Sequence, residues 1–336
     1  MKGRAVQLAV IMFVVLFLGL LPFALGGQPY YLEVMTSAFF YAVLTSSWSF
    51  LAGLAGQFSF GHMAFAGLGA YTSGLLCRYL GVSPLYGILA AIVVTTLFGF
   101  GVGILCLRLR GAYLALFTIA LSEILRIIVL TEHQFTEGNR GLLLPPLYSG
   151  ITHVGQYYVT LVLLLIILGL LWWLARSRFG IFLRAIREDE EAAAALGVNT
   201  VRYKVSVFVL TSVIAGLAGA IFYHLVGIVT PEIMQLLQMS LIIAFAVIGG
   251  LESPIAAAFG AILCRILLET LRGFTIFGVH IELGVWRYAV FGLLLVLTLR
   301  FAQNGLFYPI IDYLFMRPAR REAVAKRKQE VEDVRG

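Results

Sequence analysis

The sequence predicts an all-α polytopic membrane protein of about ten transmembrane helices, with a short charged helix between two of them. Composition is the first reason. Of 336 residues, 61% are hydrophobic and 12% charged, about half the charged share of a soluble domain. The mean hydropathy is +0.97. The second reason is recurrence, since runs of the roughly 20 apolar residues needed to cross a bilayer follow one another along the chain. The third is the placement of basic residues, which alternates between loops as the positive-inside rule requires.

Taken in order, the predicted spans are 5–25, 34–54, 60–79, 85–107, 111–130, 157–175, 204–226, 234–250, 254–272 and 285–301. Two readings fit the first. Lys2, Arg4 and the Ala24-Leu25-Gly26 end suit a cleavable leader, but the apolar run exceeds the roughly 7–15 residues of such a leader, which favours an uncleaved span. With the N-terminus in the cytoplasm, 18 of the 24 Lys and Arg residues fall on that side: Lys2, Arg4, those in the loops near 108–110 and 176–204, Arg300 and those of the tail. Arg78, Arg140, Arg272 and Arg287 fall outside, and Arg126 and Arg265 lie within spans. This bias implies an even number of crossings with both termini cytoplasmic. Adding or removing two helices together leaves it intact. The spans make a membrane domain over 1–316, and 317–336 is a charged tail. Two connectors exceed simple turns, an external one at 131–156 and a cytoplasmic one at 176–203.

The net charge of +7 would suggest nucleic acid in a soluble protein. Here it orients helices beside anionic lipid headgroups, so membrane lipid is expected as a partner and nucleic acid is not. Cys77, Cys106 and Cys264 are far apart and predict neither disulfides nor a metal site. None of the four lysines follows a glycine, which excludes a GxxxxGK[ST] phosphate loop. HExxH and GxSxG are also absent, so no catalytic set, cofactor site or metal site is predicted. Glu123 with Arg126, and Arg265 with Glu269, share helix faces at spacings of three and four. They are either neutralised structural pairs, the favoured reading, or parts of a polar pathway.

The segment LRAIREDEEAAAALGVNT at 183–200 differs from everything around it. Residues 179–196 are nearly all good helix formers, and Gly197 suits the position just past a helix end. The spacing pairs Arg184 with Glu188 and Arg187 with Glu191. Phe179, Leu183, Ile186 and Ala193 form an apolar stripe, at whose edges Asp189 and Glu190 intrude. A connector this long with its own helix is more often functional than not. Small alanines beside dense charge suit a groove on another protein.

The run from Phe179-Gly180 through Arg184-Ala185-Ile186-Arg187, the acids 188–191, Leu196-Gly197 and Tyr203-Lys204 resembles the cytoplasmic loop of ABC importer permeases. It resembles most narrowly the branched-chain amino acid permeases of the LivM kind. A second match is GLAGQFSFGHMAFAGLGAYTSG at 53–74, similar to that family's Gly-Gln-Xaa-Ser-Xaa-Gly-His segment and the glycine-rich helix after it. Ala66, Ala70 and Gly74 recur every four residues, which allows close helix approach. Gln57, Ser59 and His62 stand where backbone could leave the helix and line a cavity, with helix packing as the alternative role. TEGNRGL at 136–142 is a weaker match, with Glu137 where the family has glycine. Ile248-Gly249-Gly250-Leu251 with Pro254 and Gly260 is a fourth. Together the matches cover about 50–300.

The resemblance implies a permease subunit of an ABC importer that is not itself an enzyme and holds no cofactor. ATP and Mg would be bound by two cytoplasmic ATPase subunits. The implied assembly adds a second, LivH-like permease and an extracytoplasmic solute-binding protein, in a bacterial inner membrane. The implied substrates are leucine, isoleucine and valine, with urea or short amides as the alternative within the family. An ion-coupled carrier using Glu123 or Glu269 is the alternative from another class. For ATPase coupling the expected residues are Arg187, Glu188, Glu190, Glu191, Ala193, Ala194 and Gly197. For the substrate pathway they are Gln57, Ser59, His62 and Tyr71.

Overall fold

The computed structural model describes residues 2–24, 26–106, 109, 111–276, 279–281, 284–309 and 311. The charged tail at 317–336, Arg108 and Arg110 lie outside the described residues. The architecture is all-α. In chain order the helices are α1 (Lys2–Ala24), α2 (Pro29–Ser49), α3 (His62–Leu80), α4 (Pro84–Cys106), α5 (Ala112–Thr131), α6 (His133–Thr136), α7 (His153–Arg176), α8 (Arg178–Glu188), α9 (Glu190–Ala195), α10 (Thr200–Val226), α11 (Leu236–Gly249), α12 (Pro254–Thr270) and α13 (Trp286–Phe301).

Each predicted span is helical, but length and hydropathy separate them. Five segments are long and apolar enough to cross a membrane: Pro29–Leu54, Pro84–Cys106, Ala112–Thr131, His153–Arg176 and Thr200–Val226. Helices α11 and α12 make a sixth if counted as one span, bent by 115°. The expectation of ten crossings is thus met at five or six helices among the described residues. The shortfall has local causes. Helix α3 is diluted by Gly67, Gly69, Ser73 and Gly74. The fold breaks α11 from α12 at Gly250–Ser253, and α13 has only 16 residues.

Helix α10 is central and packs against α3, α4 and α2, while α2 also carries α7 and α12. The α3–α10 crossing is close because both faces are small. A Cβ added at Gly69 would lie 2.1 Å from the Gly216 carbonyl oxygen, and one at Gly219 would lie 2.0 Å from that of Ala66. Of the expected Ala66, Ala70 and Gly74, Ala66 takes part in this backbone approach, with Gly69 beside it, while Gly74 faces the Leu142 and Leu144 side chains. Trp48, Tyr157, Phe39, Phe208 and Phe245 fill the core between helices.

Backbone groups freed at breaks in apolar helices find partners, as an apolar medium demands. Pro22 lies within α1 and has no N–H to donate to the Leu18 carbonyl. The Tyr157 hydroxyl donates to that carbonyl at 2.6 Å, and Tyr158 donates to the next one, Gly19, at 2.8 Å. At the end of α11, the Leu306 and Phe307 N–H groups donate to the Ile248 and Gly249 carbonyls.

The connectors hold two small antiparallel pairs that the sequence analysis did not anticipate. β1 (Leu142–Leu143) pairs with β2 (Ile228–Val229), and β3 (Phe274–Ile276) pairs with β4 (Val279–Ile281). The β1–β2 pair ties the 131–156 connector to the end of α10. The adjoining Pro231–Met234 turn then packs beside α3, where Met234 lies against Gly67. Within that connector Glu137 has a left-handed φ of 62°, and its carboxylate pairs with Arg78 at 2.8 Å.

Candidate functional site

The chain between α7 and α10 is built by its own side chains. The Ser177 hydroxyl caps α8 by accepting from the Phe179 N–H, and α8 buries Gly180, Leu183 and Ile186. The single helix expected over 179–196 is in fact two. Asp189 is extended (φ −154°, ψ 106°), ends α8, and caps α9 by accepting from the N–H groups of Glu191 and Ala192 at 3.0 and 2.9 Å. Helix propensity pointed to continuity, but a short acidic side chain competes for nearby backbone donors and so starts a new helix.

Gly197 ends α9 with φ 85°. Its N–H donates to the Ala194 carbonyl at 2.9 Å, and the Val198 N–H donates to that of Ala193 at 3.1 Å. This is the Schellman arrangement, which needs a left-handed residue at this position.

Arg187 pairs with its neighbour and with distant parts of the chain rather than with Glu191 as spacing suggested. Arg187 pairs with Glu188 at 2.7 Å and with Glu252 at 3.2 Å. It also donates a short hydrogen bond to the Gly53 carbonyl. The Glu188 hydrogen bond, and secondarily Glu252, hold the guanidinium above its ordinary pKa against partial burial. Gly53 lies in a π-helical turn, Phe50–Leu54, that continues α2, and Glu252 lies in the α11–α12 turn. Such turns often mark functional sites. Glu190 pairs with Lys204 of α10 at 2.6 Å, and the Phe179 and Phe182 rings lie 5.5 and 5.2 Å from Tyr203.

The seven expected coupling residues therefore divide. Arg187, Glu190 and buried Ala193 hold the loop to the bundle. Glu188, Glu191, Ala194 and Gly197 are exposed. Leu196, part of the resembling run but not among the expected coupling residues, is 86% exposed at the tip of the loop. It borders a cavity of about 610 Å³ lined also by Phe179, Phe182, Val198 and Arg202. Its signal in the sequence was an apolar side chain beside the helix-ending glycine of a charged segment.

The four expected pathway residues do not converge on one point. The chain does leave helix between α2 and α3, over 56–61. Trp48 Nε1 donates to the Ser59 carbonyl at 2.7 Å, and the Phe60 N–H donates to the Thr118 hydroxyl at 2.9 Å. Ser59 Oγ accepts from the Gly61 N–H at 3.1 Å, a local structural bond. Gln57 Nε2 reaches the Lys204 carbonyl at 3.5 Å, at the loop end of the bundle. Tyr71 reaches the Val229 carbonyl at 3.4 Å, toward the opposite end. Gln57 Oε1 and both ring nitrogens of His62 are fully buried and have no hydrogen-bond partner among the described residues. Buried polar groups are normally satisfied, so these atoms stand out as orphaned.

Glu123 is bound by Arg126 at 2.5 Å, and Glu269 lies 3.2 Å from Arg272 and 3.7 Å from Arg265. Both carboxylates are thus neutralised, as the favoured reading of the two pairs has it. Among the described residues no group of three or more His, Cys, Asp or Glu could hold a metal ion.

Residues 30–299 match the family described as branched-chain amino acid transport system / permease component. The chain is 29% identical over 294 residues to the high-affinity branched-chain amino acid transport system permease protein LivM of Salmonella typhimurium, covering 76% of this chain and 68% of that one. The LivM of Escherichia coli strain K12 gives the same identity and coverage. The permease LivH of Salmonella typhimurium is 26% identical over 243 residues, 66% of this chain and 79% of LivH.

Proposed function

The chain belongs to the family of branched-chain amino acid transport permeases, and we propose from that premise that it is a membrane-spanning subunit of an ABC importer for leucine, isoleucine and valine. The observation that carries the coupling role is the loop between α7 and α10. One face of it is exposed and ends in a bare leucine, while the other is tied by Arg187 and Glu190 to three separate parts of the bundle. The charge bias of the sequence supports a cytoplasmic location for this loop and both termini, and the membrane of this reading is a bacterial inner membrane.

In this reading two ATPase subunits, which hold the ATP and Mg, dock on Glu188, Glu191, Ala194, Gly197 and Leu196. Their closure displaces α8 and α9. Arg187 passes the displacement to the π-helical end of α2 and to the α11–α12 turn, and Glu190 passes it to α10. Those elements adjoin the 56–61 break, where Gln57 and His62 face the pathway and Ser59 sets the local backbone, while Tyr71 lies further along α3, toward the opposite end. The bundle then exchanges two packed arrangements, as alternating access requires. Similarity to both LivM and LivH supports a pathway formed with a second, LivH-like permease, fed by an extracytoplasmic solute-binding protein. Residues 1–316 form the permease domain and 317–336 a cytoplasmic tail.

Purification of the tagged chain from its native membrane in mild detergent tests this. The expected result is co-purification of two ATPase copies and a second permease, with loss of the ATPases alone when Glu191, Ala194 and Leu196 are all changed to arginine. A chain that purifies intact and alone, where other ABC complexes survive, overturns the proposal.

A further inference from the structure

The cavity beside Leu196 reaches from the loop into the membrane-spanning part of α10. Asn199, Arg202, Tyr203 and Ser206 line it in order along the first turns of that helix. From Asn199 to Ser206 is a rise of about 10 Å at 1.5 Å per residue. That is comparable with the roughly 5–8 Å that lipid headgroups add to each side of the hydrocarbon core. Ser206 stands within Thr200–Val226, a segment apolar enough to cross a membrane. At the other end of the loop, Trp172 and Trp173 are exposed near the end of α7, and Arg176 lies 4.6 Å over the Trp172 ring. Such aromatic and basic side chains gather at membrane–water interfaces.

The cavity wall carries positive charge that the loop does not neutralise. Glu188 pairs with Arg187, Glu190 pairs with Lys204, and Asp189 caps α9. Arg202 has neither an ion pair nor a side-chain hydrogen bond among the described residues. The same holds for Arg178 and Arg184, which flank Phe179 and Phe182 in the chain. The wall also carries an unused hydroxyl. Ser46, Ser122, Ser212 and Ser240 each donate to the carbonyl four residues back on their own helix. Ser206 makes no such bond, is exposed, and lines the cavity. Beside these groups are aromatic rings, with Phe179 and Phe182 lying 5.5 and 5.2 Å from Tyr203. A guanidinium and a hydroxyl next to aromatic rings at a membrane boundary match a phosphodiester attached to hydrocarbon.

We propose that this cavity binds an anionic phospholipid of the cytoplasmic leaflet. The phosphate meets the Arg202 guanidinium and the Ser206 hydroxyl, and the first acyl carbons lie against Phe179, Phe182 and Tyr203. A zwitterionic headgroup would set its own cation among Arg178, Arg184 and Arg202, a like-charge juxtaposition that disfavours it. The lipid enters from the membrane side, at Ser206 and Phe179. Leu196 and Gly197, at the far rim, stay available to the ATPase. A lipid so placed packs α8 against α10, the helices between which the loop's motion passes. The inference rests on the cytoplasmic placement of the loop and on no particular solute.

The test is titration of the chain, purified with its accompanying subunits in mild detergent, with a tritiated phosphatidylglycerol. Saturable binding is expected, displaced by unlabelled phosphatidylglycerol but not by a large excess of phosphatidylcholine or inorganic phosphate. Arg202→Gln should weaken binding about tenfold, the loss of one charge-assisted contact. Ser206→Ala should weaken it about threefold, with the subunits still assembled. Arg184→Gln, which removes the same charge outside the cavity, should leave binding unchanged. Unchanged binding in Arg202→Gln, or equal weakening in Arg184→Gln, overturns the site, as does displacement by phosphatidylcholine. Displacement by inorganic phosphate makes it a site for a free anion and overturns the lipid. Binding that appears only after the ATPases are stripped makes the cavity part of their contact and overturns it too. Placement of the loop is read separately, by labelling Ala195→Cys in intact cells with a membrane-impermeant maleimide, since Cys77, Cys106 and Cys264 are buried. Labelling from outside overturns the placement. Protection until the cells are opened upholds it and leaves the lipid titration to decide the site.

Discussion

Gly197 and Glu137 both adopt left-handed backbone, and they meet its cost differently. At Gly197 no side chain is strained, and a Cβ there would meet open space. Replacement by alanine therefore costs only the left-handed penalty of about 1–2 kcal/mol. Proline is confined to φ near −65° and cannot reach 85°, so the turn that aims α9 is lost. We expect Gly197→Ala to retain most leucine uptake. Gly197→Pro should abolish uptake while ATP hydrolysis by the assembled complex continues, measured as the ratio of ATP hydrolysed to leucine accumulated. Glu137 bears the same kind of penalty and offsets it with the partly exposed Arg78 pair, worth about 0–1 kcal/mol. Glu137→Gly should therefore leave the thermal midpoint in detergent unchanged or raised. Glu137→Ala, which keeps the strain and loses the pair, should lower it.

At the scale of elements, the fold depends on tyrosines and one arginine joining segments distant in sequence. Tyr157→Phe would leave the Leu18 carbonyl bare below Pro22, in an apolar helix, at a cost of about 1–3 kcal/mol. A lower thermal midpoint with α1 more open to protease would confirm that the hydroxyl replaces the missing proline bond. Arg187→Met removes the contacts joining α8 to the end of α2 and to the α11–α12 turn. We expect uptake to fall several-fold with ATPase subunits still bound. Glu252→Gln should have a smaller effect, because Glu252 is half-exposed and the Gly53 contact remains. Equal loss in the two variants, as read by uptake, would argue that the Glu252 contact alone transmits motion.

At the scale of the whole molecule, long apolar runs made the helices legible, and the resembling segments made the loop legible. What stayed hidden has identifiable physical causes. The break at Asp189 was masked by good helix formers on either side, since propensity sums do not register one capping carboxylate. The two-residue strands at 142–143 and 228–229 are too short to carry a period. Arg187 looked like a partner for Glu191 because spacing along a helix says nothing of Gly53 and Glu252, which are close only after folding.

The central claim is that this chain moves leucine by ATP hydrolysed elsewhere and transmitted through the α7–α10 loop. The most direct measurement is leucine accumulation in proteoliposomes containing the purified complex, with ATP and Mg supplied on the side where its ATPase subunits lie and the binding protein on the other. The account predicts accumulation against a gradient that requires ATP, survives collapse of proton and sodium gradients, and disappears in Gly197→Pro. Accumulation that follows an ion gradient and persists without ATP would contradict it.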